Sequence, residues 1–195
     1  NAIISCSSKI ILCGVGKSGL IAAKIASTMS SVGSPAFSLS ANDCLHGDLG
    51  SISKKDLLIL ISNSGRSEEL LPIIKFANRN KIKLIGIVSK KNSSLYKGSD
   101  IKILIPETKE AGLGVVPTSS TSTQLAIGDA LAIAALEKKK FNKYDFSKLH
   151  PAGSLGKQLK TVEDLMVTKK QIPFISQSKN LRDAIKVITL KKLGV

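Results

Sequence analysis

The chain is expected to fold as a doubly wound, flavodoxin-like α/β domain, a parallel sheet held between two layers of helices. Three observations carry that expectation. Short apolar runs of strand length recur at Lys9–Cys13, Ala36–Leu39, Asp56–Ser62, Leu84–Val88 and Ile101–Ile105. The central run, Asp56-Leu57-Leu58-Ile59-Leu60-Ile61-Ser62, is continuously apolar rather than alternating, as in strands buried on both faces. Between the runs, apolar residues return at three- and four-residue steps, and strands alternating with such helices build a parallel sheet.

The first run ends in Gly14, Gly16 and Gly19, and a helical pattern follows through Ile21, Ala22, Ile25, Ala26 and Met29. Strand, tight turn and helix place a glycine-rich backbone and unpaired helix N–H groups where an anion can approach. A P-loop requires another glycine where Ile11 stands, so that motif is excluded. The dinucleotide pattern G-x-G-x-x-G does fit, with Asp43 near the place of a ribose-binding acid, although Lys17 inside it speaks for another cargo. A plain helix-capping turn is the simplest alternative.

Gly33 and Pro35 end the first helix, and a second strand leads to the loop Asn42–Gly50, which holds His46 between Asp43 and Asp48. After the central strand, Asn63–Glu69 opens a helix through Leu70, Leu71, Ile73, Ile74 and Ala77. Pro106–Pro117 is irregular and contains Lys109 and Glu110. The next helix is expected to start in a capping box of Thr121 and Gln124, with Leu125–Leu136 apolar nearly all round, hence deeply buried or at a subunit interface. Phe141–Gly156 reads as loop around His150-Pro151. From Val162 a different unit begins, with a short strand at Ile172–Ile175 and a helix from Leu181.

A chain of 195 residues suits one full domain and a fragment of another. Three scattered cysteines make no disulfide framework and point to a reducing, cytosolic setting. No apolar run reaches membrane-spanning length, and the start at Asn1 shows neither a signal-peptide pattern nor an initiator Met, the mark of a fragment. The formal charge is +15, yet only Arg66, Arg79 and Arg182 are arginines among 29 basic residues. Arginine is the preferred reader of bases and duplex phosphates, and there is no Trp for stacking. Nucleic acid is therefore not the expected partner, and the dispersed lysines read as solvated charge that steers anionic substrates.

Ser62, Ser64 and Ser67 bring hydroxyls and backbone N–H groups to a helix start, a setting for a phosphate monoester, with Arg66 beside them. Thr118, Ser119, Ser120, Thr121 and Ser122 form a second such start. Each alone is explained by helix capping, but two of them beside the glycine turn on one sheet edge favour a phosphate site. Lys17, Glu69, Glu110, His46 and His150 are the ionisable candidates, and spacing alone leaves their roles open.

Gly14-Val15-Gly16-Lys17-Ser18-Gly19, His46-Gly47-Asp48-Leu49-Gly50, Ser62-Asn63-Ser64-Gly65, Pro117-Thr118-Ser119-Ser120-Thr121, Gly128-Asp129-Ala130-Leu131 and His150-Pro151 follow one another as in D-arabinose 5-phosphate isomerases. The chain resembles that family from about Lys9 to its end. The resemblance implies a sugar isomerase (SIS) domain over residues 1–160, then a linker and the start of a first CBS domain over 161–195. It implies catalytic roles for Lys17, Glu69, Glu110 and His150, and phosphosugar contacts at Gly16, Ser18, Ser62, Asn63, Ser64, Ser67, Ser119, Ser120 and His46. His46 is also where an inhibitory metal would touch; no metal or organic cofactor is required. The sequence departs from the family at Ser40–Cys44, where a His-Pro-x-Glu-Ala run is usual, and at Arg66, where glutamate is common.

The activity so implied is aldose–ketose interconversion of D-ribulose 5-phosphate and D-arabinose 5-phosphate through an enediol, on the route to the lipopolysaccharide sugar Kdo, in a cytoplasmic homotetramer. A non-catalytic sugar-phosphate sensor, an isomerase of another phosphosugar and a nicotinamide-dependent oxidoreductase are the competing readings.

Overall fold

Five parallel strands pair in the order β2-β1-β3-β4-β5, the doubly wound arrangement expected, with β1 Ile10–Gly14, β2 Ala36–Ser40, β3 Leu57–Ile61, β4 Lys83–Val88 and β5 Ile101–Leu104. A computed structural model of the chain describes residues 1–151, 160–168 and 171–192. It divides into two compact units, Asn1–His150 and Pro151–Val195.

The apolar runs became strands because both sheet faces are covered. Leu57, Ile59 and Ile61 pack on one side with Ile10, Leu12, Ile85 and Ile87. That side receives α1 (Lys17–Ser31) through Ala22, Ile25, Ala26 and Met29, and α5 (Ser119–Lys138) through Ala132 and Ala135. Leu58 and Leu60 point the other way, with Ile11 and Cys13. They meet α2 (Ala41–Cys44), α3 (Leu70–Arg79) and α4 (Ser94–Gly98) through Cys44, Ile73 and Leu95. Side chains that alternate faces thus find a core on each, which is why β3 needs no polar face.

One buried carboxylate ties the strand starts together. Asp56 accepts from Ser53 N at 2.6 Å and from Lys9 Nζ at 2.9 Å, while Leu57 N donates to Lys9 O at 3.1 Å. Burial alone would push this carboxyl up, but hydrogen bonds from Ser8, Ser53 and Lys9 outweigh it and hold it at about 2.

Four expectations need correction. The stretch Asn42–Gly50 is partly helical: Ser40 Oγ caps α2 by accepting from Asp43 N, and a 3-10 turn spans Asp48–Ser51. Phe141–Gly156 is not all loop, since Asn142 and Asp145 close a capping box on α6 (Lys143–Leu149); residues 152–159 lie outside the described ones. Helix α5 starts at Ser119, not in a box of Thr121 and Gln124; Thr121 Oγ1 donates to Thr118 O, and Gln124 is fully buried. Of the two settings expected for this helix, burial all round does not hold, since the buried face runs along Gln124, Gly128, Ala132 and Ala135 and Ile133 is exposed; the subunit-interface alternative is not contradicted.

In the second unit, Ile172–Ile175 is not a strand. Phe174 N donates to Ile172 O, a two-residue bend that an extended chain cannot make, and Pro173 has no N–H to offer a neighbour. The unit's described helices are α7 (Val162–Leu165), capped by Thr161, and α8 (Leu181–Lys191), capped by Asn180.

Because the folded carboxyl of Asp56 lies below its ordinary 3.8, its contribution is complete above pH 4 and lost as pH falls toward 2. Asp56→Ala strands the Ser53 and Lys9 donors and is expected to cost about 1–3 kcal/mol at pH 7 in urea denaturation. The gap between variant and wild type should close near pH 2.

Candidate functional site

The strand order reverses between β1 and β3, and the chain's chemistry gathers where their carboxyl ends lie level, Gly14 opposite Ile61. Open sheets bind ligands at this switch point. The turns after these two adjacent strands are the Gly14–Gly19 and Ser62–Ser67 segments, so the glycine turn and the hydroxyl turn are neighbours.

Each glycine of the first turn has its own reason. A Cβ on Gly14 would stand 2.8 Å from the Ser18 backbone, and one on Gly19 would stand 2.8 Å from Gly14 O. Gly16 sits at φ +56 as the N-cap of α1, with no side chain capping the helix. Beside this turn opens a cleft of about 330 Å³, floored by Gly14 and Gly16, walled by Ser38, Ser40 and Asn42 of the β2 end, and carrying Glu69. Lys17 is exposed and Ser18 half-buried on the first turn of α1. Burial, with Cys44 adding to it, pushes the Cys13 thiol beneath the cleft up to about 12, which excludes it as a thiolate nucleophile at neutral pH.

The second turn is braced from within. Ser62 Oγ accepts from Gly65 N at 3.0 Å and lies 3.1 Å from Ser67 Oγ. Asn63 O accepts from Ser89 Oγ at 2.7 Å, while the Asn63 Oδ1 atom is buried without a protein partner. Ser64 is exposed and accepts from Arg66 N at 3.3 Å. Ser62 is 4% exposed and shapes the turn; Ser64 faces solvent.

Packing of α5 on α1 brings the third group in. Lys24 pairs with Asp129, 105 residues on, and Ser34 with Lys139 at the same separation of 105. A constant offset means the helices run parallel, so their first turns stand side by side. Glu110 joins them there. Its Oε2 accepts from Thr118 N at 2.8 Å, Thr118 Oγ1 at 3.2 Å and Ser120 N at 3.3 Å. The Ser120 hydroxyl and the Thr118 N–H lead in holding this carboxyl at about 2. Ser119 is half-buried beside them, its carbonyl taken by Thr123 Oγ1 at 2.8 Å.

Two candidates stand apart. His46 is exposed in the turn beyond α2, its N–H donating to Asp43 O. His150 ends α6, stacked on Phe146 with ring centroids 3.8 Å apart. Its Nδ1 lies 2.9 Å from Phe146 O. A carbonyl only accepts, so Nδ1 donates and Nε2 keeps a free lone pair when the ring is neutral. The 20 residues of α5 separate its two ends by about 30 Å. Phe141, just past that helix, packs on Gly33 at the far end of α1. The nine residues from there to His150, seven of them helical, span only about 17 Å. His150 thus follows the C-terminal end of α5, whereas Glu110 binds its N-terminal end.

The match to known proteins now becomes specific. A model of the SIS domain fits residues 3–134. The chain belongs to the SIS domain family. This SIS protein is 44% identical over 196 residues to the arabinose 5-phosphate isomerase KdsD of Yersinia pestis, covering 100% of this chain and 60% of that protein. It is 41% identical to KdsD of Escherichia coli K12, covering 97% of this chain and 58% of that one. The chain thus spans about 60% of the length of these curated relatives. Among solved structures, the E. coli CFT073 protein c3406, in complex with arabinose 5-phosphate, is 41% identical with a TM-score of 0.74, over 76% of this chain and 80% of that one.

Reading the SIS sequence by spacing missed Thr118 as Glu110's partner, because the contact crosses a loop rather than one helical turn. It also mistook Gln124 for a cap; both its side-chain polar atoms are buried without a protein partner.

Since Gly14 abuts backbone rather than flexible side chain, Gly14→Ala is expected to cost about 1–3 kcal/mol in chemical denaturation. Gly50→Ala, which meets nothing within 4 Å, should stay within about 0.5 kcal/mol of wild type.

Proposed function

We propose that this chain carries the SIS domain of an aldose–ketose isomerase that interconverts D-ribulose 5-phosphate and D-arabinose 5-phosphate, serving the route to Kdo in the cytoplasm. What supports the reading is that the glycine turn and the serine turn adjoin at the switch point, while the Glu110-bearing start of α5 lies beside the start of α1. The identity to KdsD proteins supports the choice of pentose phosphate.

In this reading Ser64, Ser67 and Ser18, with the N–H groups at the starts of α1 and α3, hold the phosphate. Gly16, Asn63 and Ser119 line its approach, while the buried Ser120 acts through Glu110. Ser62 acts through the turn it braces. Anchoring one end of a five-carbon chain fixes C1 and C2 before the acid and base groups, and such orientation supplies much of the rate. From the ketose, a base takes a proton from C1 and returns it to C2, while the O1 proton passes to O2. Atoms and charge balance without a redox cofactor or metal. Glu110 and Glu69 share the proton transfers, Lys17 stabilises enediolate charge, and His150 acts through its free Nε2 as base or in opening the aldose ring.

A His150 held at the far end of α5 reaches substrate from a second copy of the chain. A homotetramer provides that geometry, and the exposed apolar side chains of Leu20, Leu113, Val115, Val116 and Ile133 give it surface to bury. Residues 1–160 then form the SIS domain. The segment 161–195 begins a CBS domain, in keeping with Leu181, Ile185 and Ile188 of α8, which are exposed at helical spacing as in an incomplete core.

His150→Ala should lower kcat about 10²–10⁴-fold in an isomerase assay while ribulose 5-phosphate still binds by calorimetry. Unchanged turnover removes His150 from the mechanism. Mixing inactive His150→Ala and Glu110→Gln chains should restore measurable turnover, because some sites then draw both intact residues from different copies. Mixtures as inactive as either variant would count against a shared site.

A further inference from the structure

We propose that Thr118 and Ser120 are positioning residues that form a donor cradle fixing the Glu110 carboxylate at the start of α5. The catalytic consequence rests on the isomerase reading; the cradle itself rests on geometry. Three donors converge on one oxygen, Glu110 Oε2, from residues eight and ten positions later. The intervening loop turns through Gly112 and Gly114 at positive φ. Its ends are clasped by the same threonine: Thr118 Oγ1 accepts from Ala111 N at 2.9 Å and lies 3.2 Å from both Glu110 Oε2 and Val116 O. A hydroxyl has one proton, so Thr118 chooses between carboxylate and carbonyl, and the choice couples loop shape to Glu110.

The cradle also explains why α5 lacks a cap of its own. Its N-cap, Thr118, makes no side-chain cap bond, and Ser120 is 3% exposed. Glu110 supplies the missing acceptor from across the loop, where the helix dipole favours a negative charge. Every downward influence on its acidity is a hydrogen bond from Thr118 or Ser120. Its charged neighbour along the chain is Lys109, and the charged residue in the first turn of the packed helix α1 is Lys17. Such a carboxylate is ionised throughout the neutral range and held in one orientation, so its contribution to proton transfer depends on where it is held more than on when it titrates.

The test follows Glu110 directly. Carbon-13 NMR titration of the carboxyl in the full chain should give a midpoint near 2 in wild type and a clearly higher one in Thr118→Val/Ser120→Ala, short of the ordinary 4.5 because the two backbone N–H donors remain. The single variants should fall between, and Thr118→Ser should restore the wild-type value. In the isomerase assay the double variant should lose about ten- to a hundredfold in kcat with KM within about twofold, and Thr118→Ser should recover it. A double variant that folds and still titrates near 2 overturns the cradle. So does a kcat unaffected by the double variant in an otherwise active protein. Wild type that leaves pentose phosphate unchanged overturns the isomerase reading instead, and the NMR midpoint still decides the cradle.

Discussion

Close packing of α5 against α1 is the constraint on which the rest of the site depends. Gly128 makes it possible, because a Cβ there would collide with Ile25 of α1. With the axes that near, the ion pair of Lys24 with Asp129 and the contact of Lys139 with Ser34 hold the two helices in parallel register. Their N-termini then share one edge of the sheet. Without that register, the start of α5 would have no reason to lie beside the glycine turn, and Glu110 would be an ordinary loop acid. The sheet supplies two turns of the site; this helix pair supplies the third.

Hydrogen bonding sets the electrostatics of that third group. A carboxylate that accepts from two backbone N–H groups at a helix start is strongly favoured in its charged form. The same bonds complete the helix end, so one side chain satisfies donors at the start of α5. In the proposed isomerase, function and helix capping would draw on this single interaction. Asp56 shows the structural counterpart at the opposite edge of the sheet, where its bonds to Ser53 and Lys9 tie strand starts.

Much of this was legible in the residues. The strands lie where apolar runs of four to seven residues stand, and in β1, β3 and β4 burial on both faces demands such runs, while the edge strands β2 and β5 stay largely accessible. Helix α1 follows its three- and four-residue spacing, and Gly14, Gly16 and Gly19 mark a turn whose crowding and positive φ exclude side chains. What escaped was decided beyond one helical turn. The cap of α5 comes from eight residues upstream, so a search for a local box settled on Gln124. Helix α6 is short and mostly polar, and its signal is the Asn142–Asp145 box rather than any apolar stripe. The apolar pair in Ile172–Ile175 looked like a strand, but Pro173 and the bend at Phe174 leave it unable to pair.

From composition and order alone came the alternation of elements, the parallel sheet, and the nature of the chemistry: glycine, hydroxyl and acid-base groups at the ends of strands. These are local matters, fixed by burial period, backbone freedom and side-chain type. Only the folded chain decided which of those groups meet. It set the two turns on neighbouring strands, carried Glu110 onto the start of α5, and left His150 at the distant end of that helix. Such distances are products of packing between segments a hundred residues apart, and no spacing in the sequence encodes them.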